Sequence, residues 1–141
     1  MRAMRLFVDT SAWAALEDRD DSWHDQAIDF WTQLRGGKTR FRQILTSNYI
    51  MDEAMTLLGR RLGKDAAAGF WRKMQATKQV RILRVSEDTE LKAFDIFLRG
   101  PDDLSFTDGT SFALMRDEAI DTCFAFDRHF IEMGFALVPE R

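Results

Sequence analysis

The sequence predicts an α/β domain built on a mainly parallel sheet of four or five strands. Three observations predict it. Short apolar runs alternate with longer stretches of helical periodicity along the whole chain. Two of those runs stop abruptly at an aspartate, Asp9 and Asp127. No low-complexity tract, internal repeat or linker divides the chain, so residues 1–141 read as one domain.

The elements follow in order. Arg5–Asp9 reads as a short buried strand that ends on an acid and a small-residue turn, Thr10-Ser11. Helices are predicted from about Ala12 to Asp18 and from about Trp23 to Leu34. Ala27, Phe30, Trp31 and Leu34 lie at helical spacing in the second. Arg35-Gly36-Gly37-Lys38 is a loop, and Ile44–Ser47 a second strand. Asn48 is the expected cap of a helix carrying Ile50, Ala54, Leu57 and Leu58 on one stripe. Gly63 separates it from a helix bearing Ala67, Phe70, Trp71 and Met74. Val80–Val85 is a third strand. Ser86 opens a helix with Leu91, Phe94 and Phe97 in its apolar stripe. After the Gly100-Pro101-Asp102-Asp103 loop, Thr107 or Asp108 starts a helix with Phe112, Met115 and Ala119 in register. Thr122–Phe126 is the fourth strand, and Phe135–Val138 a short fifth.

Composition narrows the function. Hydrophobic residues at 45% and charged residues at 30% describe an ordinary soluble globular chain. No apolar run is long enough to span a membrane. The basic start, Met1-Arg2-Ala3-Met4-Arg5, precedes an apolar stretch that Asp9 interrupts, so it does not read as a signal peptide. The single cysteine, Cys123, cannot form an internal disulfide and makes a cytoplasmic setting the default. A net charge of −3 argues against a general nucleic-acid coat, yet the charge is uneven. Basic residues from Lys38 to Arg81 crowd the first and middle parts, and acids crowd the last third. A basic face can steer a phosphate backbone, and a solvated helix surface gives the same pattern.

Four carboxylates stand out. Asp9 and Asp127 follow strands, and sites in open α/β sheets form outside the carboxyl ends of strands. Either one alone also suits a turn. Glu53 borders the apolar stripe of its helix, with Tyr49 and Leu57 one turn away on either side, whereas Asp52 aligns with Asn48 and Thr56 on the polar side. An inward carboxylate is costly unless an arginine pairs with it or a cation binds it. Asp108 can cap its helix, and it also lies four residues before Phe112 on the buried stripe. His24 and His129 are far apart in sequence and lack the company of zinc ligands, and His24 reads as a surface residue. Cys123, inside an apolar strand, reads as core. No phosphate-cradling glycine loop is present. What remains is a set of hard oxygen donors of the kind that suits Mg²⁺ or Mn²⁺, ions that assist phosphodiester hydrolysis.

Phe7-Val8-Asp9-Thr10-Ser11-Ala12 resembles the opening motif of the PIN-domain nucleases. Thr46–Glu53, Leu104–Asp108 and Phe124–Phe130 resemble their second, third and fourth motifs, in the family's order. The ordered set, rather than any one motif, carries the resemblance, and it spans nearly the whole chain. It is nearest to the VapC-like toxins of type II toxin–antitoxin pairs. The resemblance implies a three-layer α/β/α domain and a metal-dependent endoribonuclease that cuts RNA. It also implies inhibition by a cognate antitoxin protein, and a homodimer. By it, Asp9, Glu53, Asp108 and Asp127 match the metal-binding and catalytic acids, and Ser11 a hydroxyl that holds a carboxylate or a metal-bound water. Gly109 departs from the alanine common after the third acid, which loosens the expected helix start. Met4 would serve as a start as well as Met1. Arg60, Arg61 and Arg128 are candidates for positioning the strand. Some of Trp13, Trp23, Trp31 and Phe41 are expected to form a docking groove for an antitoxin helix.

Rival readings turn on particular residues. A haloacid-dehalogenase-like phosphatase wants a second Asp where Ser11 stands. A receiver domain wants a phosphoacceptor Asp where Ser86 follows the third strand, and a lysine later than Lys92. An inactive PIN-like binding module has no use for four clustered acids, and a DNA-directed nuclease would share the chemistry.

Overall fold

A computed structural model describes residues 4–140; the Met1–Ala3 part of the basic start lies outside them. The chain runs β1 (Met4–Val8), α1 (Thr10–Glu17), α2 (His24–Arg35), β2 (Phe41–Ser47), α3 (Asn48–Leu62) and α4 (Lys64–Ala76). It continues with β3 (Val80–Leu83), α5 (Glu87–Arg99), α6 (Phe106–Asp117), β4 (Thr122–Phe124), α7 (His129–Glu132) and β5 (Ala136–Val138). Among the described residues the five strands form one sheet in the order β3-β2-β1-β4-β5, every neighbouring pair parallel. Helices flank it, as the alternating pattern demands.

Continuous apolar runs become the central strands. Leu6, Phe7 and Val8 in β1 and Cys123 and Phe124 in β4 have no exposed surface. Both faces of these strands are covered, which is why they read as unbroken rather than alternating. Phe30 of α2 packs edge-on against Phe124 at 4.8 Å, and Phe112 of α6 against Phe130 of α7 at 4.9 Å. Each fully buried ring of this kind contributes about 2–3 kcal/mol. Trp13 of α1 meets Phe70 of α4 at 5.8 Å, and its indole N–H reaches Thr46 Oγ1 at 3.3 Å.

The chain winds from β1 outward to β3, then returns to place β4 on the other side of β1. The gap between β1 and β4 is therefore the topological switch point, where crossovers diverge and leave a crevice beyond the strand ends.

Several local expectations need correction. Ser47, not Asn48, caps α3, accepting from the Ile50 N–H at 3.1 Å. Asn48 turns aside to accept from the Val85 N–H at 2.9 Å, tying α3 to the end of β3. Ser105 caps α6, which begins at Phe106 rather than Thr107 or Asp108. Ala119 lies past the end of that helix with a left-handed φ of 55°. The apolar stripe of α5 faces outward: Leu91, Phe94, Phe97 and Leu98 are exposed, and Thr89 and Ala93 are buried. The reason is a close helix–helix approach. A Cβ at Gly109 would lie 2.9 Å from the Ala93 carbonyl oxygen, so α5 and α6 meet there through small residues; Leu91, Phe94 and Leu98 are left to solvent, and Phe97 turns edge-on to Phe106 at 6.0 Å. Gly109 thus tightens the start of α6 rather than loosening it.

Candidate active site

β1 ends at Val8, and Asp9 follows at its carboxyl end. The Asp9 N–H donates to the Phe124 carbonyl at 3.0 Å, which fixes the residue at the switch point. Asp9 also caps α1. Its Oδ2 accepts from the Ser11 N–H at 3.1 Å and from the Ser11 hydroxyl at 2.6 Å. The same hydroxyl accepts from the Phe126 N–H at 2.9 Å, so Ser11 ties the end of β1 to the segment after β4. Asp9 Oδ1 is buried without a hydrogen-bond partner.

Asp108 is set by a capping box on α6. Its N–H donates to Ser105 Oγ at 3.0 Å, and its Oδ2 accepts from the Ser105 N–H at 3.4 Å. Asp108 is therefore not the N-cap that the sequence allowed: Ser105 is, and Asp108 answers it from the third helical position while lying buried. Asp127 follows β4, and its Oδ1 accepts from the His129 N–H at 2.9 Å. Glu53 is half-buried on α3 and Asp52 exposed, as helical geometry separates neighbours. No ion pair to Glu53 occurs among the described residues, so the arginine alternative is not realised. Asp9, Ser11, Glu53, Asp108 and Asp127 all line one open cleft of about 410 Å³.

The electrostatics of this cleft are those of crowded acids. Burial, then the charges of Asp108 and Glu53, push Asp9 up to about 7 against the pull of the Ser11 hydrogen bonds. Burial, then Asp127 and Glu53, push Asp108 up to about 6. Carboxylates in this state hold protons at a pH where ordinary ones do not, and a bound cation would displace them. The buried unpartnered Asp9 Oδ1 and the all-oxygen donors around it fit a hard divalent cation.

One residue of this neighbourhood escaped the sequence reading. His129 stands with its Nδ1 3.1 Å from Asp127 Oδ1 and 3.7 Å from Asp108 Oδ2, and its Nε2 3.1 Å from Asp103 Oδ1. Partial burial disfavours the charged ring, but Asp127, Asp103 and Asp108 outweigh it and raise its pKa. The signal was its spacing of two residues from Asp127 at a helix start, which sequence separation from His24 obscured. His24 itself is half-buried, with Nδ1 2.7 Å from the Ala15 carbonyl. Cys123 is fully buried, and burial raises its thiol well above the ordinary range.

The basic candidates divide. Arg61 lines the cleft, held by Asp21 at 2.8 Å and Asp18 at 3.2 Å. Arg128 is exposed in an adjoining depression with Trp23 and Phe126, whose rings stack at 5.0 Å. Arg60 is exposed outside both. Of the aromatic candidates, Phe41 and Trp13 are core. Trp13 and Trp31 line a separate apolar groove of about 480 Å³ with Ile28, Phe70 and Met74.

The family model for the PIN domain matches residues 6–136. The chain belongs to the PIN-domain family. A "23S rRNA-specific endonuclease VapC20" of Mycobacterium tuberculosis is 37% identical to it over 137 residues, covering 96% of this chain and 99% of that protein. The crystal structure of M. tuberculosis VapC20, described as a sarcin–ricin loop cleaving toxin, superimposes with a TM-score of 0.82 at 36% identity, covering 93% of this chain and 96% of that one. The crystal structure of VapBC2 from Rickettsia felis, bound to a DNA fragment from its promoter, matches with a TM-score of 0.68 at 12% identity, covering 95% and 97%. At that identity the likeness concerns the fold. No helix among the described residues of this PIN domain is long and apolar enough to cross a membrane.

Proposed function

We propose that this chain is the toxin of a toxin–antitoxin pair, an endoribonuclease that hydrolyses RNA phosphodiester bonds with the help of Mg²⁺ or Mn²⁺. The observation that carries the proposal is the meeting of Asp9, Glu53, Asp108 and Asp127 in one cleft at the switch point. It sits in a chain similar over almost its whole length to a 23S rRNA endonuclease. Its substrate is the sarcin–ricin loop of 23S rRNA, met in the cytoplasm. Its partners are a cognate antitoxin and a second copy of the chain. An antitoxin helix would suit the apolar groove lined by Trp13, Trp31, Phe70 and Met74.

Asp9, Asp108 and Glu53 would hold the cation, with Asp127 at its edge. The cation supplies a lowered pKa for water and offsets charge on the phosphate. The chain's own residues do the positioning. Ser11 grips Asp9 Oδ2 and leaves Oδ1 buried without a hydrogen-bond partner. Ser105 fixes the backbone and carboxylate of Asp108. The N-termini of α1 and α6 carry these acids, so their backbone dipoles favour an anion arriving there. Arg61 and Arg128 contribute positive charge at the rim without reading bases.

The test is expression in cells, followed by mapping of RNA ends. Growth should stop with one new end in the 23S rRNA loop, and co-expression of the antitoxin should restore both growth and intact RNA. Arrest without any new RNA end would refute the reading.

A further inference from the structure

Trp23 is not part of the groove that Trp13 and Trp31 line. It is half-buried at the head of α2, and its ring stacks on that of Phe126 at 5.0 Å with the planes 12° apart. Both rings line the carboxylate cleft. Both also line the depression beside it, a hollow of about 670 Å³ completed by Arg128, Ile131, Leu137, Pro139 and Glu140. The stacked pair is therefore a wall common to the two. Its backbone is held by the residues that shape the cleft. The Trp23 N–H donates to Asp21 Oδ1 at 2.8 Å, and Asp21 pairs with Arg61 at 2.8 Å. The Phe126 N–H donates to Ser11 Oγ at 2.9 Å, the hydroxyl that grips Asp9.

The chemistry alternates outward from the cleft. The depression is mainly rings and aliphatic side chains, with the exposed Arg128 among them. Its far rim, Pro139 and Glu140, also lines a third hollow of about 400 Å³ where exposed Lys38 and Arg40 stand. Asp29 lines that hollow too, its carboxylate accepting from Gln33 Nε2 at 3.1 Å. A polynucleotide presents the same alternation of charged phosphate and flat base. An aromatic pair bordering a hollow gives a base a face to stack on, and every base has such a face, so the contact needs no particular sequence. Arg128, then Lys38 and Arg40, supply the charge that a phosphate backbone takes. Exposed Glu140, between the second and third hollows, disfavours a phosphate there and leaves the place to a neutral base. The volume lies within the range of small-ligand pockets, about 300–1,000 Å³.

We propose that the depression bordered by Trp23 and Phe126 is a base-binding subsite for RNA. The nucleotide adjoining the scissile phosphate leaves its stack, its base packs on the Trp23–Phe126 pair, and Arg128 holds a neighbouring phosphate as the strand continues toward Lys38 and Arg40. Such a subsite favours looped or single-stranded RNA, because a paired base must first be unstacked. It also gives the strand one path away from the acids. The inference rests on the reading of the cleft as an RNA nuclease centre.

The experiment uses the full chain and a sarcin–ricin-loop RNA in which each unpaired nucleotide in turn is made abasic. Binding is read by fluorescence anisotropy in EDTA, and single-turnover cleavage with Mn²⁺ on the same RNAs. Trp23→Leu removes the ring and keeps an apolar side chain; it should weaken binding of the intact RNA about ten-fold or more, and Trp23→Phe should recover most of the loss. One abasic position beside the cut should cost the wild type as much and cost Trp23→Leu nothing further. Arg128→Gln changes an exposed residue and spares the ring pair, so it tests the subsite even if Trp23→Leu fails to fold. It should weaken all the RNAs alike and lower the salt slope of binding by about one charge. Losses from Trp23→Leu and from every abasic position that simply add overturn the proposal, as does an unchanged salt slope in Arg128→Gln. Loss of antitoxin binding in Trp23→Leu with RNA affinity intact gives the depression to a protein partner and overturns it too. Cleavage separates the two readings. A wild type that cuts the RNA, with no abasic position coupled to Trp23, leaves the nuclease standing and removes this subsite. Coupling without cleavage at any Mn²⁺ concentration does the reverse.

Discussion

Replacing Asp9 by Asn should stabilise the metal-free protein at pH 8, although it removes a residue central to the site. Asp9 is raised from an ordinary 3.8 to about 7, a shift of about three units. At about 1.4 kcal/mol per unit this amounts to ~4 kcal/mol of unfavourable ionisation in the folded state. Asn presents its carbonyl to the Ser11 donors and its amide where Oδ1 finds no partner. It still carries part of the burial cost, so about half the gain should survive, ~2 kcal/mol. For a chain of this length the unfolding entropy is about 0.3 kcal/mol per kelvin, which converts the gain to a Tm rise of about 7 °C. The pH dependence has a definite sign. The folded state holds the Asp9 proton more tightly than the unfolded chain does. The stabilising contribution is therefore complete below about pH 4 and is lost as pH rises through about 7. The gap between variant and wild type should open across that window and vanish below it. The assay is calorimetric melting in EDTA from pH 4 to pH 8. A variant that melts at or below the wild-type temperature at pH 8 would refute the reasoning.

Three further outcomes follow from the same geometry. Glu53→Gln should lower RNA cleavage by about a hundred-fold or more, and Asp52→Asn should change it little; equal losses in both would mean that α3 presents a different face. Gly109→Ala should destabilise by about 1–2 kcal/mol despite alanine's helix propensity, because its Cβ meets the Ala93 carbonyl at 2.9 Å, and an unchanged urea midpoint would contradict that contact. Ser11→Ala removes a hydrogen bond that lowers the Asp9 pKa, so the acid limb of the pH–activity profile should move to higher pH; a limb that stays in place would show that Ser11 does not act through Asp9.

Much of the fold was legible because its signals are local. The runs ending at Asp9 and Asp127 had the continuous apolar character of central parallel strands, and the structure puts them side by side with both acids at one edge. Glu53 was legible from its offset to the apolar stripe. What stayed hidden depended on distant partners. Asn48 lost its capping role because Val85, remote in sequence, needed an acceptor. The outward stripe of α5 could not be read without the Ala93–Gly109 contact, since periodicity gives a face but not its direction. His129 lacks the company of zinc ligands in the sequence, and its neighbours in the structure are carboxylates from three other positions, Asp103, Asp108 and Asp127.

The central claim is that the carboxylate cleft hydrolyses RNA only with a divalent cation in place. The most direct measurement is single-turnover cleavage of a sarcin–ricin-loop RNA by the purified wild-type chain, first stripped with EDTA and then titrated with Mn²⁺. The stripped sample should give no cut, and one defined cut should return as Mn²⁺ saturates, with Glu53→Gln remaining slow at the same Mn²⁺ concentration. Full-rate cleavage by the stripped protein would contradict it.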